Sequence, residues 1–367
     1  MAFTLSGDDA CRITFPSPIS NPYWVAFSAR AAKLIGLELS QHGLPSDPEW
    51  LQICAGNSLT SATHCFASPL ATVYSGHQFG VWAGQLGDGR AISLGELRGQ
   101  EVQLKGAGKT PYSRMGDGRA VLRSSIREFL CSEAMHALGI PTTRALSVVG
   151  SEMPVRRETM ETAAVCTRLA PSFIRIGHFE HFASLQDISR LRELADLLIR
   201  DHYPECQDHK HPYLGLFKHI CTRNAKLVAH WQAVGFCHGV LNSDNISAIG
   251  LTIDYGPFGF LDQFQIDHIC NYSDQGGRYA YHRQPQIMHW NMACLASAFL
   301  PLLELSHDAN DAQSLLREAL EGFTVVYATT WQSLFRQKLG LSTLQDEDIH
   351  LIERLLQAMH DSKVDFT

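Results

Sequence analysis

The spacing of apolar residues predicts short strands and one helix in the first half of the chain. Residues 90–94 and 101–105 alternate apolar and polar side chains, which is the pattern of a half-buried strand, and residues 145–149 form another strand-like run. Between them, apolar residues recur every three or four positions over 122–138, and Gly139 follows directly. This part therefore predicts a sheet and one amphipathic helix.

The pattern becomes helical after about residue 165. One apolar stripe runs from Leu185 to Leu198 and a longer one from Leu216 to Val234. Two more helices are predicted over 291–305 and 312–339. Strands with one helix thus come first, and a mostly helical part comes second.

The composition is that of an ordinary globular protein. A chain of 367 residues with 45% hydrophobic and 18% charged residues is large enough for two domains or lobes. Its formal net charge of −7 argues against a general nucleic-acid binder. The sequence lacks an apolar run of about eighteen residues and a basic-then-apolar leader at residues 1–9, so we expect neither a membrane span nor a secretory signal.

The cysteine and histidine pattern favours reduced thiols over a zinc site. The 10 cysteines are scattered without a CxxC pair, as expected for a cytoplasmic protein. His202, Cys206, His209 and His211 share one polar stretch, but their spacing matches no standard zinc motif. Solvated surface side chains are the preferred interpretation of this cluster.

The strongest chemical signal lies between His238 and Asp254. The spacing from His238 to Asn245 equals that of a kinase catalytic loop, and Asp254 begins a variant of the D-F-G motif. Val240 occupies the place of the usual catalytic Asp, and Asp244 directly precedes Asn245. Oxygen donors of this kind suit Mg²⁺ or Mn²⁺, although Asp and Asn are also common turn residues. We interpret His238 as a structural histidine.

These motifs and the order of elements predict an α+β fold of the bilobal protein-kinase type. The strand-rich N-lobe would bind nucleotide over 71–160, and the helical C-lobe would carry the catalytic and metal-binding loops over 161–367. Residues 1–70 would be an N-terminal extension that packs on the lobes. Because Asp254 follows the apolar run 250–253, its carboxylate is predicted to project from the end of a strand.

A glycine turn and a lysine are candidate phosphate-binding features of the N-lobe. Gly87, Gly89 and Arg90 precede a strand, which suits phosphate binding but also an ordinary hairpin turn. Lys105 ends the next strand, and Glu128 on the following helix is its candidate ion-pair partner, as in kinases. The alternatives are an exposed lysine on an edge strand and a solvated glutamate.

Two further sets of residues are weaker candidates. Asp117 and Gly118 precede the predicted helix, where backbone amides favour an anion, although Asp117 could instead cap the helix. Arg168 and Arg175 suit phosphate recognition, and surface salt bridges are the equal alternative.

From about residue 20 to its end, the chain resembles the selenoprotein O family and its bacterial relatives, protein adenylyltransferases with a pseudokinase-like fold. The matching segments are Tyr74–Gly80, Gln85–Arg90, Leu104–Arg114, Asp117–Glu128, His238–Asn245 and Leu251–Pro257.

The resemblance implies transfer of AMP from ATP to Ser, Thr or Tyr hydroxyls of proteins in the bacterial cytoplasm, with release of pyrophosphate. It also implies an ATP molecule flipped relative to that of ordinary kinases. The net charge and the lack of a long apolar run lead us to expect no nucleic-acid or membrane partner. The residues it assigns to nucleotide binding are Gly87, Gly89, Arg90, Lys105, Asp117, Gly118, Arg168, Arg175 and Asp254. Asn245 and Asp254 would hold Mg²⁺ or Mn²⁺, Asp244 would accept the proton, and Glu128 would pair with Lys105.

The chain departs from the family pattern at its C-terminal end. Relatives are expected to continue for about a hundred further residues, so we expect the C-lobe to be truncated. The C-terminal Cys or selenocysteine of the family would then be missing, and Cys270, its candidate disulfide partner, would lack that partner.

Three other functions remain open from the sequence. The chain could be an inactive ATP-binding pseudokinase scaffold, or it could transfer UMP from UTP. Ordinary kinase activity is disfavoured because Val240 replaces the catalytic Asp.

Overall fold

The computed structural model describes residues 10–343, 345 and 347–366, so the segment 1–9, assessed above for a leader, lies outside the described residues. The chain forms two compact units. Unit 1 comprises the residues up to Ser75 together with Ala83–Ile174 and Ile253–Tyr255. Unit 2 comprises Gly76–Trp82, Arg175–Thr252 and the residues from Gly256 onward.

Unit 1 is built on one sheet with three helices. Its strands are β1 (Cys11–Ile13), β2 (Tyr23–Phe27), β3 (Leu70–Gln78), β4 (Val81–Gly87), β5 (Ala91–Leu97), β6 (Gln100–Lys105), β7 (Ala120–Val121), β8 (Arg144–Arg156) and β9 (Met160–Ala170). Their order is β1-β3-β5-β6-β9-β8-β2, with β4 beside β3 and β7 beside β9. The helices are α1 (Ala29–Leu34), α2 (Glu49–Ala55) and α3 (Leu122–Ala137). Residues 76–82, which contain the end of β3 and the start of β4, belong to unit 2.

The core of unit 1 fills both faces of this sheet. On one face, Trp50 and Ile53 of α2 pack with Ile92 and Leu104 in one buried cluster. A smaller cluster joins Phe129 of α3 to buried residues of β8 and β9. Because β6 and β9 are covered on both faces, polar side chains on them are buried unless they find partners inside the unit.

Unit 2 is mostly helical. Its helices are α4 (Ile176–Ser184), α5 (Ile188–His202), α6 (Pro212–Ala233), α7 (Gln284–Leu303), α8 (Ala309–Lys338) and α9 (Asp348–Ser362). The side chains of Asp187 and Asp308 cap the amino ends of α5 and α8. Two short strands, β10 (Phe236–Cys237) and β11 (Gly259–Phe260), pair antiparallel.

The aromatic core of unit 2 joins α4, α6 and α7. The rings of Phe179 and Phe217 both contact Phe299, with centroids 4.8 and 5.6 Å away. No helix among the described residues has the length and apolarity needed to span a membrane.

The α+β class and most of the expected elements are confirmed. The predicted strands at 90–94 and 101–105 are β5 and β6, and the predicted helix at 122–138 is α3. Two details are wrong. Leu185 is not part of the α5 stripe, because it follows α4 and is 59% exposed. The strand that was expected to end at Gly150 continues as β8 to Arg156 through a shift in its register with β9.

Candidate functional site

Lys105 lies at the centre of a buried ion network in unit 1. Its ammonium nitrogen is 2.7 Å from Glu128 Oε2 and 3.0 Å from Asp254 Oδ1. β6 carries Lys105 between β5 and β9, so the lysine does not lie on an edge strand. Glu128, on α3, is buried as well. The two alternatives of an exposed lysine and a solvated glutamate are therefore wrong.

Arg168 completes the network from the neighbouring strand. Its guanidinium donates to Glu128 Oε1 at 3.1 Å and to Asp254 Oδ1 at 3.3 Å. It also donates to Gln103 Oε1, and Gln103 is directly opposite in the β6–β9 register. Since Arg168 is 1% exposed, a surface salt bridge is excluded. Two cations and two carboxylates thus balance in charge, as burial of such groups requires.

Asp254 enters the network from a turn, not from a strand. The run 250–253 forms no named strand, and Gly250 and Asp254 have φ angles of 75° and 60°. The expected strand end is therefore wrong, because these left-handed residues interrupt extended backbone. Next to Asp254, the hydroxyl of Tyr255 forms a buried hydrogen bond with that of Thr142. This bond fixes the turn within unit 1.

The glycine turn at 87–90 is stabilised by hydrogen bonds and by close packing against Tyr112. Asp88 accepts hydrogen bonds from the backbone N–H and the hydroxyl of Thr72, at 3.0 and 2.6 Å. Gly87 has a φ of 154°, and a Cβ there would lie 2.5 Å from the Tyr112 ring. Ser113 donates to the Gly89 carbonyl at 2.5 Å. The side chain of Arg90, at the end of the turn, is exposed.

A second glycine loop is closed by contact between two backbones. Gly118 has a φ of 71°, and a Cβ there would lie 2.0 Å from the Gly108 carbonyl oxygen. The N–H of Gly108 donates to the Gly118 carbonyl at 3.1 Å. Only a residue without a side chain fits this approach.

Asp117 is bound to an arginine and does not cap a helix. Its carboxylate accepts from Arg157 at 2.8 and 2.9 Å and from the Arg119 N–H at 2.9 Å. The hydrogen bonds from Arg157 lower the pKa of Asp117 to about 2. The N-cap of α3 is Val121, so the alternative in which Asp117 caps this helix is wrong.

Asp244 and Asn245 lie together in a single turn of unit 2. Arg175 donates to the Asp244 carbonyl at 2.8 Å and to Asn245 Oδ1 at 3.3 Å. Gln78 donates to Asp244 Oδ2 at 3.3 Å. Arg175 is 2% exposed, so the alternative of a surface salt bridge is excluded for Arg175 as it is for Arg168. It supports the backbone of the turn that carries both candidate residues.

His238 is packed in the same unit among aromatic rings. The ring centroids of Trp231 and Phe236 lie 5.4 and 6.2 Å from that of His238. The backbone N–H of His238 donates to Gln284 Oε1 at 2.8 Å. These contacts support the structural interpretation of this histidine.

The predicted site residues that the structure brings together within unit 1 are Lys105, Glu128, Arg168 and Asp254. Within unit 2 it brings together Arg175, Asp244 and Asn245. Sequence reasoning missed Gln103 and Gln78. Gln103 is 65 residues from Arg168, and only the pairing of β6 with β9 reveals their contact.

The cysteine and histidine candidates of unit 2 form no metal-ligating cluster among the described residues, and Cys206 is buried, so its interpretation as a solvated side chain is wrong. Among the described residues, His202, Cys206, His209 and His211 do not converge on a shared position. His211 instead lies 3.1 Å from His307, nitrogen to nitrogen.

Cys270 is a free thiol beside the β10 strand. Its thiol donates to the Cys237 carbonyl at 3.4 Å. The hydrogen bond with Cys237 and burial raise the pKa of Cys270.

Comparison with known proteins identifies the family. Residues 20–367 match the family model described as protein adenylyltransferase SelO. The chain is 55% identical to the protein nucleotidyltransferase YdiU of Cupriavidus metallidurans over 96% of its own length and 66% of that protein. It is 55% identical to the YdiU protein of Burkholderia multivorans over 98% and 70% of the two chains.

A third relative, the YdiU protein of Ralstonia nicotianae, is 56% identical over 96% of this chain and 68% of its own. The chain spans about two thirds of the length of the curated relatives that it matches. The family match covers nearly all of the described residues, including both sets of candidate residues. The chain therefore belongs to the SelO family of protein adenylyltransferases, a family of nucleotidyltransferases.

Proposed function

We propose that the protein transfers AMP from ATP to Ser, Thr or Tyr hydroxyls of other proteins and releases pyrophosphate, in a reaction that depends on Mg²⁺ or Mn²⁺. The observation that carries this proposal is the buried, charge-balanced network of Lys105, Glu128, Arg168 and Asp254. A lysine held by a helix glutamate is how kinase-like proteins position a cation for nucleotide phosphates. The relatives named nucleotidyltransferases support the reaction class.

Nucleotide binding would reuse the charges of the network. Lys105 now donates to both Glu128 and Asp254. A phosphate oxygen can accept the hydrogen bond that Lys105 otherwise donates to Asp254, while Glu128 keeps the Lys105 ammonium in place. The Asp254 carboxylate is then available to a cation that binds with the nucleotide. The network would thus be arranged for metal-bound triphosphate before the substrate arrives.

The backbone turns and the remaining arginines would bind the rest of ATP. The proposed phosphate-binding groups are the amides of Gly87, Gly89 and Gly118, with Arg90 and Asp117 beside them. Arg168 would act through the carboxylates that it holds. Arg175 would act through the turn of Asp244 and Asn245.

We propose Asn245 and Asp254 as the protein ligands of the metal. Carboxylate and amide oxygens fit Mg²⁺ or Mn²⁺, which usually take few protein ligands together with phosphate oxygens and water. The hydrogen bond from Arg175 to Asn245 Oδ1 is long, at 3.3 Å, so this oxygen can exchange partners at little cost. When bound, the ion would neutralise phosphate charge during transfer.

Asp244 is the proposed proton acceptor. Its side chain is buried, and its Oδ2 accepts a hydrogen bond of 3.3 Å from Gln78. Arg175 holds its backbone carbonyl at 2.8 Å and so fixes the position of the residue. Since Val240 cannot accept a proton, Asp244 is the acid side chain of this loop that can serve a hydroxyl nucleophile.

In this proposal, units 1 and 2 are the strand-rich and helical lobes of a bilobal, pseudokinase-like fold. Its substrates are ATP and proteins of the bacterial cytoplasm that carry accessible hydroxyls. The match to the family model over residues 20–367 supports a protein substrate and a nucleotidyl-transfer reaction.

Variants of the two aspartates test the assigned roles. Asp244→Asn should lower transfer by about 10²-fold or more, because it removes the proton acceptor, while ATP affinity changes little. Asp254→Asn should weaken both transfer and metal-dependent ATP binding. The matched control is Asp267→Asn, at an exposed position of unit 2, which should leave both unchanged. Full activity in the Asp244 and Asp254 variants would refute the assignments.

Mass spectrometry of the modified protein tests the reaction itself. The proposal requires an adenylyl adduct on a Ser, Thr or Tyr side chain after incubation with ATP and metal. A phosphoryl adduct alone would show an ordinary kinase, and an adduct formed only from UTP would show a uridylyl donor. ATP binding by an intact, folded protein without any adduct would show a scaffold.

A further inference from the structure

Three side chains with metal-binding atoms converge in unit 2, beside the turn that carries Asp244. They are His77, Glu180 of α4 and Cys294 of α7. One ligand atom from each lies within 4.8 Å of the others. The closest pair is His77 Nδ1 and Glu180 Oε1, at 2.7 Å.

Glu180 has a buried oxygen that no described group satisfies. The residue is 5% exposed, and its Oε1 is paired with His77. Among the described residues, Oε2 has no hydrogen-bond partner. Burial raises the pKa of Glu180 to about 8, and the nearby Ser243 hydroxyl, which accepts the His77 backbone N–H at 2.8 Å, only partly offsets this rise. An unsatisfied buried carboxylate oxygen is costly, which indicates a missing ligand.

A cavity gives a ligand room to reach these atoms. It has a volume of about 310 Å³, and His77, Glu180 and Cys294 line it together with Trp82. The rings of Trp82 and Trp290 lie 5.1 and 5.2 Å from the imidazole of His77, centroid to centroid, and hold it in place. Glu180 thus lines an accessible space and has an ordered imidazole beside it.

We propose that His77, Glu180 and Cys294 bind a transition-metal dication of the zinc class. A set of one nitrogen, one oxygen and one sulfur donor is typical of Zn²⁺ and unlike the all-oxygen sites of Mg²⁺. Bonds of about 2.0–2.3 Å put tetrahedral ligands roughly 3.3–3.8 Å apart, so the three atoms need to move by about 1 Å at most. Water in the cavity would supply the fourth ligand.

Binding has a defined proton balance. The ion displaces the proton of the Cys294 thiol, which goes to solvent, and the proton between His77 Nδ1 and Glu180 Oε1. That second proton goes to solvent if the carboxyl group carries it, or to His77 Nε2 if Nδ1 carries it, so that the imidazole binds in its neutral form. The bound ion would tie residues 76–82 to α4 and α7. This site shares no residue with the proposed magnesium ligands Asn245 and Asp254, so it stands independently of the proposed function.

The first test is titration of metal-free protein with Co²⁺. Wild type should bind one equivalent with a thiolate-to-cobalt charge-transfer band. Cys294→Ser should lose the band, and Glu180→Gln should bind Co²⁺ at least about 10-fold more weakly. The matched control is Cys65→Ser, which removes an exposed thiol and should change nothing. Absence of stoichiometric binding by wild type, or a band that persists in Cys294→Ser, would overturn the proposal.

A second test uses only the wild-type protein, in case a variant fails to fold. Zn²⁺ should slow alkylation of Cys294 at least about 10-fold and leave the alkylation of Cys65 unchanged, as read by mass spectrometry of the peptides. Zn²⁺ should also raise Tm, because it binds the folded state. Equal alkylation of Cys294 with and without Zn²⁺ would contradict the site.

Discussion

Replacement of Glu128 is the sharpest test of the buried network in unit 1. Its two oxygens accept from two different cations, Lys105 at 2.7 Å and Arg168 at 3.1 Å. A glutamine has only one acceptor oxygen, so in either orientation its amide NH₂ would face a cation. Glu128→Gln also leaves Asp254 as the one carboxylate beside the two cations, which changes the network from neutral to a net positive charge. Breaking such a buried pair costs about 3–5 kcal/mol.

The matched control for this change is Glu161→Gln. Glu161 also pairs with an arginine at 2.8 Å, but that residue, Arg123, is exposed, so water can replace the interaction. Urea unfolding should show a much larger fall in the free energy of unfolding for Glu128→Gln than for Glu161→Gln, with an unchanged m-value. Hydrogen exchange followed by mass spectrometry should place the loss of protection in α3 and β6.

Charge balance also predicts the stability of a double variant in the same urea experiment. Adding Lys105→Met to Glu128→Gln leaves Arg168 with Asp254 and restores neutrality. The double variant should therefore be more stable than Glu128→Gln alone. Unfolding of Glu128→Gln at the same urea concentration as Glu161→Gln would contradict the charge balance of the network. A double variant that is less stable than Glu128→Gln alone would contradict it as well.

Two other predictions concern backbone geometry and buried charge. Gly118→Ala should lower Tm far more than Gly139→Ala. Both glycines have φ angles of about 70–75°, so the backbone strain of the substitution is similar at the two positions. Only the Cβ at Gly118 would clash with backbone, because it would lie 2.0 Å from the Gly108 carbonyl oxygen. Equal losses in the two variants would contradict the close approach. Burial raises the pKa of Glu101 from 4.5 to about 8, so the folded state keeps a proton that the unfolded state has lost, and stability should fall as pH rises through this window. Glu101→Gln should flatten that part of the pH–stability curve, and an unchanged slope in urea titrations at several pH values would refute the assignment.

Local patterns predicted those elements whose sequences carry a clear period. The alternation at 101–105 identified β6 and placed Lys105 at its end, and the helical period identified α3 with Glu128 on it. By contrast, β9 is buried over most of its length on both faces, so residues 163–170 show no alternation to read. Leu185 continued the period of α5 by coincidence, although it directly follows α4 as its C-cap.

Contacts between distant segments could not be read from the sequence. Gln103 contacts Arg168 only because β6 pairs with β9. Glu180 contacts His77, although the two residues are 103 positions apart in the sequence. Asp254 could be recognised by its motif, but the left-handed turn that presents it has no sequence signature beyond a preceding glycine. The chemistry of these residues was therefore predictable, whereas their partners required the fold.

The central claim is that the innermost phosphoryl group of ATP moves to a protein hydroxyl. The most direct measurement compares ATP labelled with ³²P at the α position with ATP labelled at the γ position, each incubated with the protein, its protein substrate and Mg²⁺ or Mn²⁺. We predict that α-label becomes acid-stable on protein and that γ-label appears in pyrophosphate, with both signals lost in Asp244→Asn. Label on protein from the γ position and none from the α position would contradict the claim.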